Sequence, residues 1–395
     1  MKVAGLFSGI GGLEIPFRAH GATTALLCDV WDASRAVLEH RFPGTQISSD
    51  IVKLKSLPKG TTVVTAGFPC TDLSQAGRTA GIGGRESGLV SHVFRLLRRH
   101  EVEWLVLENV RNMLVLDNGK AMHYLVDRLE KLHFRWAYRL VDSRFSGVPQ
   151  RRHRVLLVAS RHHDPRRVLF ADEAGDPGPT GRTDAFGFYW TEGLTGIGWG
   201  DDCVPPLKGG STVGIPSPPA VWLPNEAPGR RFVTFSIQDA EALQGFERGW
   251  TEAAQTNSRN GPRWKLVGNA VTVGVADWLV GRLFHPGDAA IESRPVDIVE
   301  RWPDAAYGAK QKVWKFAASH WPIRQPYRHL YDVLTKSDLK PLSHKAAAGF
   351  QERRLRSSLR PHEAFDRDLA EHVEFTKPIT SRPRRGASER AARPV

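Results

Sequence analysis

A strand that runs straight into a glycine loop and then into a helix is the strongest constraint on what this chain can fold into. Lys2-Val3-Ala4-Gly5-Leu6-Phe7 is an apolar strand, Ser8-Gly9-Ile10-Gly11-Gly12 follows at once, and Leu13 to His20 has helical spacing. This is the opening of a nucleotide-type βαβ unit in a parallel sheet. The glycines are spaced G-x-G-G rather than G-x-G-x-x-G, and Glu14 stands where a third glycine would be. That spacing weakens a pyrophosphate cradle and leaves room for a smaller, amino-acid-bearing cofactor against the loop. A plain tight turn would give the same pattern.

The next elements continue the alternation. Thr23 to Cys28 is a second strand ending in Asp29, placed to hold a ribose diol. A third strand near Gln46-Ile47 ends at Asp50-Ile51, a carboxylate beside an aliphatic residue that suits an adenine ring. Each aspartate reads equally as a loop residue or a helix cap. The β-branched run Thr61 to Thr65 is a buried parallel strand that breaks into Gly67-Phe68-Pro69-Cys70. A thiol just past the end of such a strand is placed to attack a substrate, although a lone cysteine in a turn is as readily a small buried residue. Arg78 and Arg85 lie in a glycine-rich stretch after it that suits a lid over a polyanion, or a plain connection. Leu89 to His100 returns as a helix.

Glu103 to Leu107 is a fifth strand ending in Glu108-Asn109-Val110. Desolvation at the end of an apolar strand would raise the Glu108 pKa and suit a general acid; pairing with an arginine is the other reading. Gln150-Arg151-Arg152-His153-Arg154 enters a further strand, either as an anion site or as a solvated charge run.

Apolar residues make up 41% of 395, so a folded protein with two or three domains is expected. Cys28, Cys70 and Cys203 are too few and scattered for a disulfide framework or a zinc site. No membrane span or cleavable leader is apparent, and a cytoplasmic location is expected. The net charge of +13 favours a polyanionic partner, nucleic acid first; a generally basic host proteome would give the same charge.

Taken together, the motifs resemble the DNA (cytosine-5)-methyltransferase family over residues 3–283. Phe7 to Gly12, Gly67 to Cys70, Glu108 to Val110, Gln150 to Arg154, Leu243-Gln244-Gly245-Phe246 and Gly268-Asn269-Ala270-Val271 match six of its motifs in family order. The resemblance implies a Rossmann-like α/β domain that binds S-adenosylmethionine, a smaller loop-rich target-recognition domain and a C-terminal extension. Boundaries are expected at 1–165 plus 264–285 for catalysis, 166–263 for recognition, 286–376 for a basic, partly helical extension and 377–395 for a disordered tail. Residues 286–395 carry seven of the thirteen net positive charges, and extra nonspecific DNA contact is expected from them.

The resemblance also implies roles. Cys70 attacks C6 of a flipped-out cytosine, Glu108 protonates N3, and Arg152 and Arg154 steady the base and the carboxylate. Phe7, Gly9, Ile10, Gly11, Gly12, Asp29, Val30, Asp50, Ile51, Pro69, Leu89, Asn269, Ala270 and Val271 would line the cofactor. Ser74, Gln75, Arg78, Arg85, Lys208, Gly209, Gly210 and Ser211 would contact DNA. The partner would be double-stranded DNA, with a restriction endonuclease acting on the same site, and the protein would be a monomer without a metal. Val30, Trp31, Thr272 and Pro206 depart from residues more usual in the family. An RNA cytosine-5 methyltransferase acting on tRNA, and a catalytically silent DNA-binding regulator, are the alternatives. A nicotinamide dehydrogenase rests on the glycine loop alone.

Overall fold

The apolar runs become strands of two sheets. The computed structural model describes residues 1–68, 88–190, 197–208, 219–255, 261–297, 301–357 and 362–378. The first part of the chain forms β1 (Lys2–Leu6), α1 (Glu14–Ala19), β2 (Thr23–Cys28), α2 (Asp32–Arg41), β3 (Gln46–Ser48), β4 (Val63–Ala66), α3 (Gly88–Arg99), β5 (Trp104–Val110), α4 (Lys120–Lys131), β6 (Arg135–Asp142) and β7 (His153–Ser160). The middle adds α5 (Arg166–Leu169), β8 (Phe186–Trp190), β9 (Ile197–Asp201), β10 (Ala220–Trp222), β11 (Phe232–Thr234), α6 (Ile237–Leu243), α7 (Arg263–Asn269) and α8 (Val273–Phe284). The last part supplies β12 (Ser293–Val296), β13 (Ala305–Ala309), β14 (Lys312–Phe316), α9 (Leu330–Val333), β15 (Lys340–Pro341), α10 (His344–Arg356) and α11 (Glu363–Phe375).

β1 pairs in parallel with β2 on one side and β4 on the other; β3 extends the first side and β5 the second. The chain thus builds outward from β1 and then crosses over to build the other way. The carboxyl ends of β1 and β4 are therefore the switch point, where an open α/β sheet takes its ligand. β7 lies antiparallel between β5 and β6.

Side-chain alternation divides the core. Val64, Leu105 and Leu107 pack on one face with Val93, Phe94 and Leu97 of α3 and Met122 and Leu125 of α4. Val63, Trp104 and Val106 pack on the other with Phe17 of α1 and Val275, Leu279 and Leu283 of α8. Because both faces are covered, β4 is buried throughout and reads as an unbroken β-branched run. No single helix among the described residues is long and apolar enough to cross a membrane.

The last hundred residues do not form the third region expected over 286–376. β13 pairs with β6, and β14 and β12 follow, so this segment widens the first sheet to ten strands. β15 pairs with β11 at the edge of the second sheet, whose order is β15-β11-β10-β8-β9. α10 and α11 then cover that sheet: Phe350, Phe365 and Leu369 pack on Phe186, Phe188, Trp222 and Phe232. Open sheet edges and uncovered aromatic surface draw the segment into both units. Helices near 327–335 and 343–359 are expected; α9 keeps only one turn of the first, and α10 stops at Arg356. The tail expected over 377–395 lies, beyond Pro378, outside the described residues.

Candidate active site

One side of the switch point is organised by Asp29. Phe7 leaves β1 with φ of +56°, in the left-handed region that non-glycine residues seldom occupy. The chain then turns back, so that the N–H of Gly9 donates to Asp29 Oδ2 at 2.9 Å and that of Trp31 to Oδ1 at 3.0 Å. Burial raises the Asp29 pKa, and these two donors oppose the rise. Val30 beside it is 76% exposed, leaving an apolar surface uncovered next to the buried acid. Trp31 faces the other way, under Lys265 Nζ at 4.9 Å from the ring centroid.

The closing motif packs directly on the glycine loop. A Cβ on Gly12 would stand 2.7 Å from the Val271 carbonyl oxygen, so only glycine permits this approach. Ile10 and Ala270 share one apolar cluster with Phe246. Asn269 is exposed at the end of α7. Phe7 and Leu89 are half-buried against the core under the sheet mouth. Asp50 and Ile51 follow β3 in a turn: the Val52 N–H donates to Asp50 Oδ1 at 2.8 Å, and Ile51 is committed to the core.

Glu108 occupies the other side of the switch point, at the end of β5. Arg154 Nε lies 2.7 Å from its Oε1. Its Oε2 is 3.8 Å from the point where a Gly67 Cβ would sit, which places the carboxylate beside the turn that follows β4. Asn109 Nδ2 donates to the Phe68 carbonyl at 3.5 Å. Arg154 thus holds one oxygen of Glu108 while the other lies toward Gly67.

Arg152, expected with Arg154 to steady the base and the carboxylate, keeps its Nε buried without a protein partner. It lies just before β7, outside the regular strand, and its terminal nitrogens donate to backbone carbonyls: Nη1 to Leu207 at 3.0 Å, and Nη2 to Gly268 at 3.0 Å and Ala270 at 2.9 Å. It is 2% exposed. Burial pushes its pKa down, helped by the charge of Arg154 and opposed by Glu108. It therefore ties two distant segments, at Leu207 and at Gly268 to Ala270, to the start of β7 beside the Glu108–Arg154 pair. Gln150 completes the clamp, its Oε1 accepting from the Leu207 N–H at 2.9 Å.

Pro69, Cys70, Ser74, Gln75, Arg78, Arg85, Gly209, Gly210 and Ser211 lie outside the described residues. Lys208 is described, with Nζ 4.8 Å from the Tyr189 ring centroid. The other two thiols, Cys28 and Cys203, are buried, and burial pushes each up to about 11, which leaves them poor nucleophiles.

Two residues do work that the sequence reading assigns to neither. Gln244 accepts at Oε1 from Gln150 Nε2 (3.1 Å) and from Thr272 Oγ (2.7 Å), and donates to the Val267 carbonyl at 2.9 Å. The unusual Thr272 is thereby accommodated by a specific partner. Trp250 Nε1 donates to the Ile10 carbonyl at 3.0 Å, bracing the glycine loop from a distant segment. The Leu243 to Phe246 motif contains Gln244 but does not say which partners it takes; Trp250 offered no signal.

Comparison with known proteins shows what the chain is similar to. Residues 1–176 match the family model for C-5 cytosine-specific DNA methylases. The chain is 44% identical over 363 residues to the type II methyltransferase M2.BsuMI of Bacillus subtilis (strain 168), covering 89% of this chain and 92% of that one. It is 29% identical over 172 residues to the type II methyltransferase M.DsaV of Dactylococcopsis salina, covering 43% of this chain and 48% of the relative. The fold resembles the crystal structure of S. pombe Dnmt2 methyltransferase, with a TM-score of 0.53, 16% identity and coverage of 72% and 98%. The extent of the match to M2.BsuMI settles the family: the chain belongs to the C-5 cytosine-specific DNA methylases, as a homologue of type II methyltransferases.

Proposed function

We propose that this protein methylates C5 of a cytosine flipped out of a specific duplex DNA sequence, with Cys70 as nucleophile and Glu108 as the group that serves N3. The observation that carries the reading is the Glu108–Arg154 pair beside Gly67, at the sheet's switch point and opposite the Asp29-laced glycine loop.

The residues present fit S-adenosylmethionine. The Asp29 carboxylate suits a ribose diol, exposed Val30 suits an apolar ring, and the Gly9 to Gly12 backbone against Val271 suits the amino-acid end. When bound, S-adenosylmethionine supplies an electrophilic methyl group. The protein's task is to make C5 nucleophilic. The Cys70 thiolate adds to C6, the C5=C6 electron pair moves toward the ring carbonyl and N3, and N3 takes up a proton through Glu108. Arg154 holds Oε1 of Glu108 and leaves Oε2 toward the nucleophile loop. After methylation, water takes the C5 proton, the Cys70 thiolate leaves and N3 gives its proton back to Glu108, restoring the C5=C6 double bond.

Flipping the base costs a few kcal/mol of lost stacking and pairing, which contacts from the second sheet and from residues 69–87 would offset. A restriction endonuclease reading the same site is the proposed cellular counterpart, without direct contact. Labelled methyl transfer to duplex DNA compared with tRNA, followed by bisulfite sequencing, tests the reading. Transfer to tRNA alone, or methylation retained by Cys70→Ala, would overturn it.

A further inference from the structure

One buried acid at the switch point takes no part in the chemistry above. Glu14 opens α1, is 1% exposed, and accepts at Oε1 a 2.5 Å hydrogen bond from Thr65 Oγ. Thr65 is fully buried on β4, two residues before Gly67. The second oxygen of Glu14 and the nearby Ser8 hydroxyl are both buried without a protein partner. Gly5 of β1 lies between them: a Cβ there would stand 2.5 Å from Glu14 Oε1 and 2.6 Å from Ser8 Oγ. The glycine loop, the first strand and the strand leading to Cys70 therefore converge on one carboxyl group.

The surroundings favour a neutral acid. Burial pushes the Glu14 carboxyl up to about 7; the Thr65 hydroxyl opposes the rise and Asp29 adds to it. Asp29, at the end of β2, is the charged group acting on it. β4 contributes Thr65 and no charge, and β1 none beyond Lys2, whose Nζ donates to the Lys59 carbonyl. On α8, Asp277 pairs with His20 at the far end of α1, and on β5 Glu108 pairs with Arg154. A carboxylic acid presents a donor and an acceptor where a carboxylate presents acceptors only.

We propose that Glu14 is a positioning residue for methyl transfer: through Thr65 it sets the spacing between the glycine loop that receives the cofactor and the strand that carries the nucleophile. The inference rests on the reading of Cys70 as nucleophile. It explains why an acid occupies a site where the first strand must be glycine to admit it. Glutamine is its neutral isostere and should serve in its place.

The test is labelled methyl transfer to duplex DNA between pH 6 and 9 by the full-length wild type, Glu14→Gln, Glu14→Ala and Thr65→Val, with thermal melts to confirm folding. Glu14→Gln should match the wild type within about threefold at low pH, and Glu14→Ala and Thr65→Val should lower kcat and raise KM for S-adenosylmethionine by about tenfold or more. DNA affinity should not change. The ratio of wild-type to Glu14→Gln activity should fall as pH rises through about 7, because only the wild type ionises there. A ratio constant with pH, or wild-type kcat and KM in Glu14→Ala, overturns the proposal. If the wild type transfers no methyl group to duplex DNA, the functional reading fails on its own. Calorimetric binding of S-adenosylmethionine then decides for Glu14: identical pH dependence in wild type and Glu14→Gln overturns the inference, and divergence through about pH 7 upholds it.

Discussion

Arg154 and Glu108 meet across the antiparallel β5–β7 pair, with Nε 2.7 Å from Oε1. Val110 is the residue opposite Arg154, and Glu108 lies two residues back on the same face, so the ion pair is a diagonal cross-strand contact. Glu108→Gln should lower single-turnover methyl transfer by about 10²–10⁴-fold, the usual contribution of a positioned acid or base. Arg154→Ala should also lower it, and Arg154→Lys should fall between, since lysine keeps the charge but not the planar donors. Wild-type rates in Arg154→Ala would show that the pair is not needed.

Arg152 should matter to stability before it matters to chemistry. Arg152→Ala leaves the carbonyls of Leu207, Gly268 and Ala270 without their charged donor. At roughly 1–3 kcal/mol for each buried group left unsatisfied, a loss of about 3 kcal/mol or more is expected from urea denaturation. An unchanged midpoint would mean that these carbonyls find other partners.

The folded state should weaken as pH rises past the ordinary carboxylate range, and Glu14→Gln should remove that dependence. Glu14 titrates near 4.5 when exposed and at about 7 when folded. Between those values the unfolded chain releases a proton that the folded chain keeps, so stability falls as pH rises and levels off above about 7. The limit is about 3 kcal/mol. Denaturation midpoints of wild type and Glu14→Gln should converge near pH 4.5 and separate toward pH 8, with the variant the more stable.

Asp29→Ala should weaken S-adenosylmethionine binding by about tenfold or more, since it removes a charged acceptor from two loop N–H groups. Isothermal titration reads this directly. DNA affinity measured without cofactor should stay at the wild-type value, because Asp29 belongs to the loop side of the sheet.

Phe365→Ala should damage the second sheet rather than only its surface. Phe365 packs on Phe188, Trp222 and Phe232 from α11, and a cavity there should cost about 3–5 kcal/mol. Limited proteolysis should then cut within residues 180–235 while the first sheet resists. Deleting 286–395 would remove β12 to β15 with the helices, so the salt dependence of DNA binding is better tested by substituting exposed basic residues in the intact chain.

Local chemistry made much of this protein legible in its sequence. Strands buried on both faces read as apolar runs, the glycine loop announced itself after β1, and the order of six short motifs pointed to one reaction. Each of these signals lies within a few neighbouring residues, where backbone sterics and burial leave a direct trace. Tertiary structure decided the rest. Sheet order placed Asp29 and Glu108 on the two sides of one switch point. Cross-strand register paired Glu108 with Arg154 and left Arg152 to clamp Leu207. The last hundred residues, read as an appendage, complete both sheets. Such contacts join residues far apart in the chain, and neither propensity nor spacing records which distant partner a side chain will find.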